Sequence, residues 1–254
     1  MAGVALIGFM GAGKSTLARE LGRELGVAAL DSDALLEERL GHSIAREFEL
    51  RGEESFRAAE QELVCELLAG AAGEDAGGGI SAVIALGGGS VLSARVRAAL
   101  AGHMTVFVDV DPEVAWERLE GSAQRPLARD RESFLELAGA RRELYEELAD
   151  AFVPGGTVAG DSAAVSQRAL AAVRALGRAP VGTRLVWASA AGGEYPVLVG
   201  RGLLGDEGTL ARVWPADLER SRAFCVSDET VAALYGERLA ALGALAGSCS
   251  IGAG

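Results

Sequence analysis

The chain has 254 residues, half of them hydrophobic, enough for one large or two small domains with a sizeable core. Its 36 acidic residues outweigh 24 Lys plus Arg, and the formal charge of −12 makes nucleic acid a poor partner, so phosphates must be met by cations gathered locally. Three scattered cysteines argue against a secreted disulfide framework, and no apolar run approaches the roughly 18 residues of a membrane span, so a cytoplasmic protein without a membrane partner is expected.

Val4-Ala5-Leu6-Ile7 is a short apolar run that reads as a buried parallel strand. It opens into Gly8-Phe9-Met10-Gly11-Ala12-Gly13-Lys14-Ser15-Thr16, which matches the P-loop pattern G-x-x-x-x-G-K-[ST]. Leu17, Leu21 and Leu25 then mark one helix face, closed by Gly26. Strand, glycine loop and helix together make a phosphate cradle. In it Gly11 to Thr16 hold the phosphates, Lys14 reaches the β and γ groups, and Ser15 can ligate Mg²⁺. Lys14 is the sole lysine of the chain, with arginine at every other Lys or Arg position. An ammonium kept only there points to working chemistry.

Val27 to Leu30 is a second strand, ending in Asp31-Ser32-Asp33. On a strand, carboxylates two apart point the same way, at the sheet edge where ligands bind. Such a pair can hold Mg²⁺ and orient an acceptor hydroxyl, or Asp31 can simply cap the next helix. Residues 34–69 read as helical, interrupted by Gly41 and Gly52, with Arg57 and Glu60 one turn apart. A Gly/Ala-rich loop over 70–81 precedes a third strand, Ala82 to Leu86, which runs into Gly87-Gly88-Gly89 and lets a ligand approach the backbone. No Walker B aspartate stands on that strand, so Asp31 must serve the metal. A short helix over 91–101, a strand over 105–110 and a helix started by Asp111-Pro112 and carrying Arg118 follow. Arg125, Arg129 and Arg131 flank Pro126 in a polar stretch suited to a lid closing on phosphates. Helices over 135–148 and 163–176 enclose a last short strand at Phe152-Val153.

These residues, with G-H-S-I-A-x-x-F, F-R-x-x-E, L-G-G-G, R-P-L and R-x-x-L-Y-x-E-x-A in order over about 3–176, resemble shikimate kinase. The resemblance implies an α/β P-loop kinase of the nucleoside-monophosphate-kinase type, a three-layer sandwich around a parallel sheet. It would move the γ-phosphate of ATP, with Mg²⁺, to the 3-hydroxyl of shikimate in aromatic amino acid biosynthesis, as a monomer. By that resemblance Asp31 supports the metal through water. Asp33 binds the shikimate hydroxyls and acts as base. Arg57 and Arg141 pair the carboxylate, with Gly87, Gly88 and Gly89 beside it. Glu60 orients Arg57, Arg125 meets the transferred phosphate, and Arg118 packs on adenine. The stretch 157–164 departs from the family in lacking a basic residue and a proline, which bears on adenine selectivity. A kinase for another hydroxy acid, such as gluconate, is the alternative on the same fold, and a non-catalytic remnant is the alternative of another class.

Gly177 to Gly182 reads as a linker, giving expected domains of 1–176 and 184–254 with 177–183 between. The second stretch resembles the opening segment of 3-dehydroquinate synthase, through Tyr195 to Leu204 and Cys225 to Val231. It stops before that family's zinc ligands, so no synthase activity is expected of it.

Overall fold

The computed structural model describes residues 3–72, 79–119, 130–155, 162–190, 193–204, 212, 224–240 and 246–252. The chain falls into two compact units, one of Met1–Val173 with Val186–Pro196, the other of Arg174–Leu185 with Val197–Gly254.

The first unit is built on a sheet with β1 (Val4–Ile7) at its centre. β1 pairs in parallel with β3 (Ala82–Ala85) on one side and with β4 (Met104–Asp109) on the other. β2 (Ala28–Asp31) pairs outside β3, and β5 (Ala151–Pro154) outside β4. The full order is β2-β3-β1-β4-β5, continued by β6 (Arg184–Ala190) and β7 (Gly193–Val199). β1 and β3 are buried at every residue, as apolar runs covered on both faces must be. β2 lies at the sheet edge, and Ala28 and Ala29 are exposed. Helices α1 (Lys14–Leu25), α2 (Ser32–Leu40), α3 (Ile44–Ala71), α4 (Ala94–Leu100), α5 (Pro112–Leu119), α6 (Arg131–Leu148) and α7 (Ser162–Leu176) connect the strands.

Parallel strands send their carboxyl ends to one edge, and the loops after β1, β2 and β3 converge there. One detail differs from the sequence reading. Asp33 lies in the first turn of α2 rather than on the strand, because Asp31 caps that helix by accepting from the Asp33 and Ala34 N–H groups. Gly52 interrupts α3 as its place in the sequence predicts: its backbone leaves the helical region (φ 80°, ψ 178°), and the two helical pieces meet there at a kink, the second running to Ala71. Leu36, Phe56 and Leu63 form a small separate core under α2 and α3.

In the second unit β8 (Phe224–Asp228) and β9 (Gly247–Ile251) pair in parallel on either side in sequence of α8 (Glu229–Ala240). None of the helices described is long and apolar enough to cross a membrane.

Candidate active site

The P-loop turns tightly between β1 and α1. Gly11 has φ +79°, and a Cβ there would lie 2.6 Å from the Ala115 carbonyl oxygen, so only glycine fits. α1 starts without a side-chain cap, which leaves its first N–H groups for an anion. Lys14 Nζ curls back and donates to Gly8 O (2.8 Å) and Phe9 O (2.9 Å). Burial pulls its pKa down to about 8, against the pull of Asp33 and Asp31.

Beside the loop opens a cleft of about 540 Å³, within the range of small-ligand pockets. Ser15, Asp31 and Asp33 stand on its wall with Gly87, Gly88 and Gly89, and Arg57, Glu60 and Arg141 on the rest. The structure thus brings together residues drawn from five elements. Asp33 as a residue is exposed, but its Oδ1 would lie 2.5 Å from a Cβ at Gly87, so the carboxylate is packed into the cleft. That desolvation raises its pKa to about 6; Lys14 opposes the rise, and Glu60, Asp31 and Glu37 add to it.

Arg57 and Glu60 are not the solvent-exposed pair that their spacing suggests in isolation. Glu60 is buried, and its Oε2 accepts from Arg57 Nη1 at 2.6 Å. Glu60 Oε1 accepts from Ser90 Oγ at 2.8 Å, so both carboxylate oxygens are held. The Arg57 guanidinium lies 4.9 Å from the centre of the Phe56 ring, and its Nη2 is buried without a hydrogen-bond partner. Arg57 lines the cleft, and a buried guanidinium N–H without a partner calls for an acceptor. Arg141 is buried too, over the Phe9 ring, and donates to Gly88 O at 3.3 Å. Its neighbour Arg142 turns the other way and forks onto Asp109.

Several contributors escaped the sequence reading. Tyr145 OH donates to the same Gly88 oxygen at 2.5 Å, and burial drives the phenol up to about 12, so it stays a donor. Ser32 Oγ accepts from the Gly87 N–H at 2.9 Å, fixing the triple glycine to α2. Phe48 and Phe56, with ring centres 4.7 Å apart, line the cleft. Ser32, Phe48, Phe56 and Tyr145 each sit inside a motif already singled out, and Ser90 directly follows one, which was the available signal; what they touch appears only in three dimensions.

On the nucleotide side, Arg118 Nη1 lies 3.5 Å from Gly11 O, over the P-loop. Arg131, grouped by sequence with a lid, is the first residue of α6 and pairs instead with Glu113. Arg125, Arg129 and the segment 156–161 lie outside the described residues. No group of three His, Cys, Asp or Glu side chains among the described residues could cage a metal. What the cleft offers is the Ser15 hydroxyl near the Asp31 and Asp33 carboxylates. That set fits magnesium, which keeps waters and shares phosphate oxygens rather than filling an all-protein cage.

A sequence model of the shikimate kinase family matches residues 10–172. The chain belongs to the shikimate kinase family. It is 43% identical over 147 residues to the shikimate kinase of Mycobacterium leprae (strain TN), covering 57% of this chain and 69% of that one. To the shikimate kinase of Mycobacterium tuberculosis (strain ATCC 25177 / H37Ra) it is 41% identical over 147 residues, covering 57% and 78%. Among solved structures, shikimate kinase from Acinetobacter baumannii in complex with shikimate superposes with a TM-score of 0.59 at 30% identity, over 67% of this chain and 91% of that one. Shikimate kinase from Aquifex aeolicus gives 0.55 at 32% identity, over 67% and 95%. As a shikimate kinase the chain has the α/β P-loop kinase fold and takes ATP as co-substrate with Mg²⁺.

Proposed function

We propose that the chain transfers the γ-phosphoryl group of ATP to the 3-hydroxyl of shikimate. The observation that carries this is the buried, unpartnered Arg57 Nη2 in a cleft that also holds Arg141 and the P-loop Ser15. Two guanidinium groups in one small cleft suit a carboxylate, and a hydroxylated ring between them and the P-loop would present an oxygen to the phosphate. Arg57, oriented by Glu60, and Arg141 take the carboxylate. The backbone of Gly87, Gly88 and Gly89 lines the ring. Asp33 holds the ring hydroxyls and accepts the proton of the attacking one. A base with a pKa near 6 is ionised at neutral pH and still basic enough to take a proton.

Gly11, Ala12, Gly13, Lys14, Ser15 and Thr16 cradle the phosphates, and Arg118 packs on the adenine. Arg125 serves as the lid arginine on the transferred phosphate. Magnesium, when bound, would be held by Ser15 and, through water, by Asp31, and would neutralise charge on the phosphates. The rest of the catalysis is positioning, since phosphoryl transfer asks little covalent chemistry of the protein.

The stretch 184–254 reads as an opening segment of 3-dehydroquinate synthase type. What supports this is the parallel β8 and β9 joined through α8, one nucleotide-fold unit. On this reading the domains are 1–176 and 184–254, although β6 and β7 of the second stretch extend the sheet of the first. The deciding experiment measures ADP release against shikimate, quinate and gluconate. ATP turnover dependent on shikimate is expected, and preference for gluconate would overturn the assignment of Arg57 and Arg141 to a ring carboxylate.

A further inference from the structure

Glu47 is fully buried on α3, next to the cleft-lining Phe48. It shares a helix face with Ile44 and Phe48, and both of these pack on the core of Leu36, Phe56 and Leu63. A carboxylate in such a place is costly unless partnered. Its partners lie on both sides of the bend in α3. Ser55 Oγ donates to Oε1 at 2.9 Å, and Arg51 Nη1 lies 3.8 Å from the same oxygen. His42 Nε2 lies 3.3 Å from Oε2 but is not aligned to it, and Oε2 has no hydrogen-bond partner among the described residues. His42 immediately precedes Ser43, Ile44 and Ala45, and Ser55 immediately precedes Phe56 and Arg57; all five line the cleft. Between them Gly52 breaks the helical backbone, and a Cβ there would meet nothing within 4 Å. Gly52 itself makes no side-chain contact at the bend, so the halves are joined by groups to either side of it, the Phe48–Phe56 ring pair and Glu47 with Ser55.

We propose that Glu47 is a positioning residue for acceptor binding: its buried carboxylate accepts from Ser55 across the Gly52 bend, with His42 beside it, and so holds Arg57 and the two flanking segments at the cleft. The acceptor is shikimate under the reading given above. Glu47 touches neither substrate; it acts through the backbone that carries Arg57.

Glu47→Leu removes the carboxylate, keeps most of the volume and suits the apolar face, so stability is expected to hold or rise. The KM for shikimate is expected to rise about 5- to 10-fold, while kcat and the KM for ATP stay within about 2-fold. Amide exchange over residues 43–57, measured without substrate, is expected to quicken at least about 10-fold. Ser55→Ala leaves Glu47 in place and is expected to raise the shikimate KM about 3-fold, with Ser55→Thr restoring it. A carboxylate of purely structural importance would move the melting temperature and leave KM and exchange alone. Unchanged KM and exchange in Glu47→Leu, or in Ser55→Ala if the first variant does not fold, overturns the proposal. Wild-type protein without shikimate turnover would instead sink the functional reading, and the exchange measurement, which needs no acceptor, still decides the role of Glu47.

Discussion

Gly89→Ala probes the acceptor site with a single methyl group. Gly89 has φ −97° and ψ −11°, an ordinary backbone that alanine adopts without strain. The methyl would nevertheless sit in the Arg57 guanidinium, 2.7 Å from Cζ and 2.8 Å from Nη2. Arg57 Nη1 would lie nearer still, so relief to an ordinary contact of 3.4 Å requires a shift of at least 3.4 − 2.7, or 0.7 Å, at Cζ and more at Nη1. The far end of an arginine can make that shift, so folding should hardly suffer. The shift loosens the 2.6 Å bond to Glu60 and moves the unpartnered Nη2 off its aim. Displacements approaching 1 Å at a positioning group cost up to about 100-fold. The KM for shikimate should therefore rise about 10- to 100-fold, or about 1.4–2.7 kcal/mol. A coupled assay varying shikimate at saturating ATP, then ATP at saturating shikimate, separates the two substrates. Gly102→Ala, where a Cβ would meet nothing within 4 Å, is the control. A Gly89→Ala enzyme with wild-type shikimate KM, or with only the ATP KM raised, would refute the placement of the acceptor against Arg57.

Lys14→Arg puts a planar fork where Nζ now fits between two loop carbonyls; kcat should fall at least about 100-fold, roughly 2.7 kcal/mol, and near-normal turnover would contradict the role of the ammonium. Asp33 must be ionised to accept a proton, so kcat/KM should fall as pH drops through about 6, and a limb near 4 would mean that the cleft does not perturb it. Because its folded pKa is raised above 3.8, the native state holds the proton more tightly than the unfolded chain, and ionisation costs stability as pH rises from about 4 to 6. Asp33→Asn should thus lose turnover yet melt higher at pH 7, a gain that vanishes below pH 4 in calorimetry. Gly139 lies exposed within α6 with open space at its Cβ position; Gly139→Ala should add about 0.5–1 kcal/mol by denaturant titration, and destabilisation would contradict the helix there. A chain ending at residue 200 should keep kinase activity and scatter less light, since Phe224, Val226 and Ile251 are exposed apolar groups that it removes; lost activity would place the later residues within the kinase.

The sequence by itself determined the kinase type. A P-loop is contiguous, and its strand, glycines, lysine and hydroxyl follow one another in the order the phosphate meets them. Apolar runs likewise named β1, β3 and β4, because strands covered on both faces need no partner information to be recognised. The motif order carried the family, since nine residues of P-loop specify only a triphosphate whereas F-R-x-x-E and the triple glycine specify an acceptor.

Tertiary structure decided what those residues do to one another. Arg57 and Glu60 one turn apart read equally well as a solvated pair; only the approach of Ser90 and the triple glycine from β3 buries Glu60 and leaves Arg57 Nη2 without a partner. Asp33 owes its raised pKa to burial against Gly87 and to the nearby Glu60 carboxylate, with Lys14 opposing the rise, and none of these is its neighbour in the chain. Tyr145 reaches Gly88 across 57 positions. Glu47 has the spacing of a core residue and the charge of a surface one, and local sequence cannot choose between them. Desolvation and long-range hydrogen bonds depend on distances through space, and these arise only when the strands assemble.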